Sequence, residues 1–382
     1  MGDASPSFQR LLSWYTEDVL PFWATRAWDD SRGGFYEALA FDGTPSVNRP
    51  RRVRVQARQI YTFTKAALAG WLPDGENIAA KGFDVFLKTA CPDDGARGCA
   101  HYLDDDGAIV DDRRDLYDQA FLLLACSARW TAARDDRARA LAGRTLEFLE
   151  RELSSPHGGW RESDRNEFPR RQNPHMHLFE AFIAWAQASD DTRYADLAKS
   201  VRELFERVFF DPAQSVLLEF FEEDFSPAAG DAGRRIEPGH MMEWVWLLGR
   251  YDDVFNADSS AYMPPLYSNA KKLGQDTAGF LADSVVLGAD PKGGRRLWPQ
   301  TEYLKAAIIR ARRGGIGFAK EAADLIDRLF ETYFKNETAG LWCDQFNLAG
   351  QPIAKDAPAS MLYHIHEAVE EVATFVKQGA AT

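Results

Sequence analysis

Apolar residues recur along most of the chain with the 3.6-residue period of amphipathic helices, and clusters of Gly, Pro and Asp interrupt that period. The uninterrupted segments predict about twelve helices. The predicted helices cover residues 7–26, 52–70, 74–90, 115–133, 137–153, 174–188, 192–209, 239–253, 265–285, 299–313, 318–335 and 359–378. The pattern therefore predicts an all-α protein.

Two kinds of connection alternate between these helices. Connections that follow odd-numbered helices are long and rich in Gly, Asp and aromatic residues, as in 29–43, 93–107 and 337–350, whereas 134–136 is short. A glycine followed by alternating aromatic residues is typical of a short β-hairpin. The long connections recur at intervals near one sixth of the 382 residues.

Six decorated helical hairpins predict an (α/α)6 barrel, in which six inner helices surround a central cavity and six outer helices wrap them. Short β-hairpins are expected in the loops at the mouth of that cavity. An open α-solenoid is the alternative, although the periods and signatures of tetratricopeptide and ankyrin repeats are missing. No Pro/Ser-rich linker divides the chain, so residues 1–382 are expected to form a single domain.

Composition narrows the class of partner. The chain has 58 acidic and 45 basic residues and a net charge of −13, which does not suit nucleic acid or an anionic membrane surface. No apolar run reaches the ~18 residues of a membrane helix, and no signal peptide is recognised. Four cysteines without a CxxC motif predict reduced thiols in a cytoplasmic protein. We expect a monomer or homodimer that binds a small molecule.

Polar and aromatic side chains suited to chemistry concentrate near the starts of the even-numbered helices. They are Arg54 and Arg58, Tyr117 and Asp118, His175, His177 and Glu180, His240 and Glu243, Trp298, Glu302 and Lys305, and Tyr363, His364, His366 and Glu367. In a toroid these starts meet at one mouth of the cavity, which predicts one site there. By contrast, Arg51 and Arg52 are expected to be solvated, and His101 and His157 to lie on the surface.

Three histidines precede a glutamate by three residues: His177 and Glu180, His240 and Glu243, and His364 and Glu367. Side chains at i and i+3 share a helix face. A carboxylate beside an imidazole fixes its tautomer or raises its pKa, as general acid–base catalysis requires. His366 competes with His364 for a catalytic role, and His175 is expected to make a hydrogen bond at a helix start.

The sequence gives less support to other kinds of catalytic site. HExxH, GxGxxG, P-loop and GxSxG motifs are all missing, so neither a metal nor a cofactor is expected. Aromatic rings and carboxylates in a cavity suit a sugar. Glycoside hydrolysis would use two of Glu180, Glu243 and Glu302. Removal of the proton at C2 of a sugar suits histidine better, because imidazole titrates near neutrality.

Six motifs, taken in order, resemble the N-acylglucosamine 2-epimerase superfamily. They are ARQIYTF, DLYDQAFLLLA, NPHMHLFEA, EPGHMMEW, RLWPQTE and a late YH, and they run from about residue 54 to residue 366. That superfamily also includes cellobiose 2-epimerases and isomerases of free mannose. The resemblance implies an (α/α)6 barrel and metal-free acid–base catalysis through a cis-enediol(ate).

The resemblance also implies roles for individual residues. His240 in PGHxxEW and His364 in YH match the catalytic histidines. The positions matching the sugar-binding set are Arg58, Tyr117, His177, Glu180, Glu243, Trp298 and Glu302. Some relatives carry paired tryptophans before the glutamate of the tenth helix, whereas this chain has Trp298 followed by Pro299.

The mechanism expected from these roles begins with opening of the pyranose by His364 or by a water that it activates. His240, helped by Glu243, would then take the C2 proton, and Arg58 and His177 would stabilise the oxyanion. Return of the proton to C1 would give aldose–ketose isomerisation, such as mannose to fructose. Return to C2 from the opposite face would give 2-epimerisation of an N-acylglucosamine, mannose/glucose or cellobiose substrate.

Overall fold

The computed structural model describes residues 5–289 and 293–380, and these form two concentric rings of helices. The inner ring contains α2 (Val53–Leu68), α4 (Leu116–Ala133), α6 (Gln172–Ala188), α8 (Pro238–Phe255), α10 (Trp298–Arg312) and α12 (Ser360–Ala380). The outer ring contains α1 (Ser5–Ser13, continued by Trp14–Val19 and Leu20–Arg26), α3 (Gly75–Thr89), α5 (Asp136–Phe148, continued by Leu149–Leu153), α7 (Arg193–Leu204, continued by Phe205–Phe209), α9 (Met263–Gly274) and α11 (Phe318–Thr332).

Each inner helix packs against the inner helices before and after it, and α12 packs against α2, so the ring is closed. Outer helices α3, α5, α7, α9 and α11 each cover the inner helix that precedes or follows them in sequence, while α1 lies on α11 and α12. Inner helices such as α4 and α6 are buried on nearly all sides, as expected of helices between a filled core and an outer layer. The predicted (α/α)6 barrel is confirmed.

Thirteen short strands lie in the described loops: β1 (Ala38–Leu39), β2 (Arg51–Arg52), β3 (Tyr102–Leu103), β4 (Ile109–Asp111), β5 (Arg170–Arg171), β6 (Phe210–Asp211), β7 (Val216–Leu217), β8 (Phe220–Phe221), β9 (Arg235–Ile236), β10 (Val285–Val286), β11 (Gly294–Arg296), β12 (Gln345–Asn347) and β13 (Ala357–Pro358). All pairings are antiparallel. The strands β3–β4 and β6–β7 form local hairpins of the predicted kind.

The remaining strand pairs join neighbouring loops, which the sequence did not predict. β2 pairs with β3, β5 with β8, β9 with β10, β11 with β12, and β13 returns to β1. An isolated β-bridge between Asp115 and Ser163 makes the same kind of link between the loops before α4 and α6. The strand before each inner helix is thereby tied to the loop before the next one. These links hold the starts of all six inner helices at one end of the ring.

One helix is shorter than predicted. The apolar pattern predicted a helix over 265–285, but α9 ends at Gly274. Gly279 has a φ of +85°, and its backbone N–H donates to the carbonyl of Asp276 to close a turn. The apolar residues beyond this turn belong to the next loop, so the helical period there is coincidental. Among the described helices, none combines the length and the apolarity that crossing a membrane requires.

Candidate active site

A cavity of about 400 Å³ opens at the end of the ring where the inner helices begin. Seven of the nine predicted site residues line it: Arg58, Tyr117, His177, His240, Glu243, Trp298 and His364. The other two, Glu180 and Glu302, lie directly behind the wall, in contact with His177 and His364. The structure therefore brings all nine residues together. Each comes from the first turns of an inner helix, because the strand links hold those turns around one opening.

The i,i+3 spacing predicts the partner of one histidine correctly. Nδ1 of His177 donates to Glu180 Oε2 at 3.0 Å, and the second oxygen of Glu180 accepts from the Tyr363 hydroxyl at 2.5 Å. Burial disfavours the charged ring and lowers the pKa of His177 to about 4, despite the opposing effect of Glu180. His177 is therefore a neutral ring with Nε2 directed toward Glu243.

The predicted pair of His240 and Glu243 is wrong. Nδ1 of His240 donates instead to Glu219 Oε2 at 3.0 Å, and Glu237 Oε2 lies 3.5 Å from the same nitrogen. Burial disfavours the imidazolium, but the charges of Glu219 and Glu237 outweigh it and raise the pKa of His240 to about 9. The ring of His240 is a cation at neutral pH, held by carboxylates on its far side.

Glu219 was missed because it lies in the loop before α8, 21 residues from His240. The clue to Glu219 in the sequence is its position within the long loop. An acidic residue recurs soon after the small or aromatic residues of five of the six long loops, as in GFYE, GWRE and FLAD, and Glu219 ends the corresponding VLLE. Gln172 Nε2 also donates to Glu219 Oε2 at 2.9 Å, so the carboxylate is fixed from two sides.

His364 pairs with Glu302 rather than with Glu367, so that prediction is also wrong. Nδ1 of His364 donates to Glu302 Oε1 at 2.8 Å, and Glu302 Oε2 lies 2.7 Å from the ammonium of Lys305. Burial, followed by the positive charges of Arg58 and Lys305, lowers the pKa of His364 well below its ordinary value. Glu367 instead accepts from the Tyr61 hydroxyl at 2.9 Å.

The other four histidines do not line this cavity. His366 points away from the cavity and its Nδ1 bonds to the Tyr15 hydroxyl at 2.7 Å, so His364 is the cavity-facing member of YHIH. His175 makes the predicted hydrogen bonds at a helix start, to the Trp160 N–H and the Arg171 carbonyl. His101 is buried and bonds to Asp118, so its predicted surface position is wrong, whereas His157 is exposed.

Trp298 lies between the two candidate catalytic histidines. Its ring centroid is 4.8 Å from that of His240 and 6.1 Å from that of His364. On another wall, Arg58 Nη2 donates to the Tyr117 hydroxyl at 2.8 Å, and the guanidinium packs 4.0 Å from the Phe121 ring centroid. An aromatic face and a fixed guanidinium are the groups that a sugar ring and its hydroxyls need.

Glu243 is one of the carboxyl groups that line the cavity. Burial, and then the nearby charge of Glu302, raise the pKa of Glu243 well above its ordinary value, and Oε1 has no hydrogen-bond partner in the described residues. Ligand atoms of Glu243, Glu302 and His364 lie within 4.8 Å of one another, close enough for a metal. Lys305 already supplies a positive charge to Glu302, which makes a second cation there unfavourable.

Nine of the sixteen lining residues were not among the predicted site residues, and they include Asn173, Arg52 and Arg54. Asn173 lines the cavity, and its buried Oδ1 finds no hydrogen-bond partner among the described residues. It belongs to the NPHMH motif that also contains His177. Arg52 also lines the cavity, so its predicted solvated role is wrong. Arg51 is buried as well and forms an ion pair with Asp29 at 2.7 Å.

Comparisons with known proteins agree with this geometry. The sequence profile of N-acylglucosamine 2-epimerase (GlcNAc 2-epimerase) matches residues 34–368. A mannose-6-phosphate isomerase from Rhizobium meliloti (strain 1021) is 34% identical, and the alignment covers 96% of this chain and 97% of that protein. A D-mannose isomerase from Thermobifida fusca is 25% identical over 70% of this chain and 71% of its own length.

The structure of cellobiose 2-epimerase from Spirochaeta thermophila DSM 6192 has the same fold, with a TM-score of 0.88 at 22% identity over 100% of this chain and 99% of that chain. Fold and relatives together define the class of the protein as a sugar isomerase or epimerase. The chain belongs to the N-acylglucosamine 2-epimerase family, which confirms the resemblance carried by its six motifs.

Proposed function

We propose that the protein is an aldose–ketose isomerase that interconverts D-mannose, or a close relative, and D-fructose through a cis-enediol(ate). The observation that carries the proposal is that two buried imidazoles, His240 and His364, line one cavity, lie beside the same Trp298 and bind different glutamates. Relatives named for isomerisation of mannose or its 6-phosphate support the choice of substrate.

The charges of His240 and His364 support acid and base roles that differ from those expected from the sequence. A neutral imidazole can accept a proton and an imidazolium can donate one. His364 is neutral, so we assign it the hydrogen transfer at ring opening and removal of the C2 proton. His240 is charged, so we assign it protonation of O1. His240, expected from the sequence to be the base, is therefore the acid of this mechanism.

The remaining proton transfers return both histidines to their starting protonation states. As C2 loses its proton to His364 and O1 gains one from His240, the C1–C2 bond becomes the double bond of the enediol. His364 then gives its proton to C1, and the hydroxyl hydrogen of O2 passes to His240 as the C2 carbonyl forms. Arg58 and the neutral carboxyl of Glu243 can donate hydrogen bonds to developing negative charge, and such preorganised donors contribute several kcal/mol.

Epimerisation at C2 is the second candidate, because His240 already carries a proton. Transfer of that proton to C2 from the face opposite His364 would invert the carbon. A glycoside hydrolase has less support. Of the three glutamates expected to serve hydrolysis, Glu180 is bonded to His177 and Tyr363, and Glu302 to His364 and Lys305, so Glu243 is the one left free where two are required.

The test is incubation with D-mannose in deuterium oxide, with NMR detection of the sugars formed. Fructose as the main product, with deuterium at C1, supports the isomerase. Glucose as the main product would instead establish an epimerase, and release of reducing sugar from a mannan would establish a hydrolase. Parallel reactions with mannose 6-phosphate, N-acetylglucosamine and cellobiose define the substrate.

A further inference from the structure

Each of the six long loops carries one residue at an equivalent position. These residues are Glu37, His101, Glu162, Glu219, Asp283 and Asp344. In five loops, the backbone carbonyl of this residue accepts the N–H at the start of the preceding inner helix, with α12 preceding α2 around the closed ring. The exception is Asp283, because the matching residue of α8 is Pro238, which has no N–H. The six positions are therefore related by the sixfold repeat.

Four of these residues use the side chain as a structural clamp. One carboxylate oxygen accepts the N–H of the residue that precedes the next inner helix of its own hairpin. Glu37 accepts from Arg52 at 2.6 Å, Glu162 from Arg171 at 2.6 Å, Glu219 from Glu237 at 3.3 Å and Asp283 from Arg296 at 2.7 Å. In these four loops the acidic side chain has a structural role, because it binds a backbone N–H.

Asp344 lacks this clamp. The residue matching Arg52, Arg171 and Arg296 in its hairpin is Pro358, which has no N–H to donate. Asp344 Oδ1 is buried and has no hydrogen-bond partner in the described residues, and the side chain lines the cavity beside Pro358. A buried carboxylate oxygen without a partner costs free energy, so the fold itself gives no reason for an acid here.

Arg52 and Arg296 flank Asp344 at the rim of the same cavity. Each arginine is anchored through Nε, Arg52 to Glu37 at 2.7 Å and Arg296 to Asp283 at 3.2 Å. In the part of the chain that the structure describes, the Nη groups of these two arginines make no hydrogen bond to the protein. The rim therefore brings two fixed sets of donors together with the unclamped carboxylate of Asp344.

This arrangement suits hydroxyl groups, which both donate and accept hydrogen bonds. A phosphate accepts but, as a dianion, cannot donate, and Asp344 would repel its charge. We propose that Arg52, Asp344 and Arg296 form a rim subsite that binds hydroxyls of the sugar remote from C1 and C2. It selects an unphosphorylated substrate. The inference rests on the proposed function, because it requires a sugar in the cavity.

The test measures binding without turnover. 1,5-Anhydro-D-mannitol keeps the hydroxyls at C2, C3, C4 and C6 but lacks the anomeric hydroxyl, so it cannot open or isomerise. Its affinity is measured by isothermal titration calorimetry. Loss of a hydrogen bond to a charged group is worth about 10- to 100-fold in affinity, and Asp344→Ala is expected to weaken binding by that amount.

Pro358→Ala is the second variant. It supplies an N–H at the position where the other repeats have one, which should draw Asp344 into the clamp and weaken sugar binding by about threefold or more. Glu162→Gln is the matched control, because Glu162 holds the equivalent clamp away from the cavity. It should change stability but not affinity. Circular dichroism checks that each variant folds.

Unchanged affinity in folded Asp344→Ala and Pro358→Ala proteins would overturn the subsite. So would wild-type binding of mannose 6-phosphate that is tighter than that of mannose and improves in Asp344→Ala. Failure of the two proposals is distinguishable. Asp344-dependent binding in an enzyme that converts no aldose would remove the isomerase and keep the subsite, whereas isomerisation with an unaffected Asp344→Ala variant would do the reverse.

Discussion

The two sides of the cavity surround chemically identical imidazoles with different charged groups. On one side, His240 faces Glu219 and Glu237, and its pKa is raised to about 9 despite burial. On the other side, burial and the charges of Arg58 and Lys305 lower the pKa of His364 well below its ordinary value. Both rings donate through Nδ1 to a glutamate, so a carboxylate partner alone does not decide the protonation state.

The charge behind the carboxylate makes the difference. Glu302 is neutralised from behind by Lys305 at 2.7 Å, whereas Glu219 acts together with a second acid, Glu237. A paired carboxylate attracts a proton on the neighbouring ring less strongly than two unpaired ones do. The surroundings of the two rings therefore shift their pKa values in opposite directions, and the variants below test this contrast.

Removal of either ring is expected to have the largest effect. His240→Asn and His364→Asn should each lower kcat by about 10²- to 10⁴-fold, because each loses one general acid–base group. Isomerisation of mannose, followed by NMR, measures the loss, and helical circular dichroism checks the fold. Turnover within tenfold of wild type in either folded variant would remove that ring from the mechanism.

Removal of the buried cation behind Glu302 comes next. Lys305→Met should cost about 3–5 kcal/mol of unfolding free energy, since Glu302 is left buried without its ion-pair partner. Loss of a positive charge should also raise the pKa of His364, so the acidic limb of the kcat/KM profile moves to higher pH. Urea denaturation and the pH profile measure the two effects.

Lys65→Met is the control for that variant. Lys65 pairs with Glu370 at 2.8 Å, but both side chains are partly exposed. The cost of its loss should stay within about 1 kcal/mol. Equal costs for the two lysine variants would contradict the importance of the buried pair.

Removing the negative charge of Glu219 beside His240 should have a moderate effect on activity that depends on pH. The imidazolium of His240 exists below its pKa, so kcat/KM should be present below about pH 9 and lost as the pH rises through that value. Glu219→Gln removes a charge that raises this pKa, so the alkaline limb should move to lower pH. We expect a loss of about tenfold at pH 8 and little change at pH 6.

Glu37→Gln changes the equivalent carboxylate of another repeat, which bonds Arg52 rather than a histidine. Its alkaline limb should match that of the wild type. A limb that stays at the same pH in Glu219→Gln would show that Glu219 does not hold the charge of His240.

His366 should have the smallest effect on activity. His366→Ala removes the partner of the buried Tyr15 hydroxyl and should cost about 1–3 kcal/mol of stability. Activity per folded molecule should stay within twofold of wild type, because the ring lies outside the cavity. A kcat that falls by 100-fold would move the catalytic role from His364 to its neighbour.

The sequence predicted the helices and the place of the site because both depend on local patterns. Inner and outer helices bury apolar faces at a fixed period, and the candidate catalytic residues lie toward the starts of the inner helices. The hydrogen-bond partners of the histidines were harder to predict from the sequence. The i,i+3 spacing predicts a shared face, and it was right for His177 because Glu180 has no stronger competitor.

For the other two rings the competing partner lies far along the chain. Glu302 is 62 residues from His364, and the two side chains meet because consecutive inner helices α10 and α12 pack side by side. The protonation states could not be predicted either, because they depend on Lys305 and Glu237 as well as on the direct partners. The role of Asp344 depends on a proline in another strand, which becomes informative only when the six loops are superposed.

The seam between α12 and α2 determines when the site can exist during synthesis. Gln59 Nε2 donates to the Ala359 carbonyl across 300 positions of the chain, and the Tyr61 hydroxyl donates to Glu367 across 306. A nascent chain that has left the ribosome only as far as α10 can stack its hairpins locally, but the cavity has no sixth wall and no His364. Enzymatic competence therefore arrives in one step, when the last described helix is released and docks on the first hairpins.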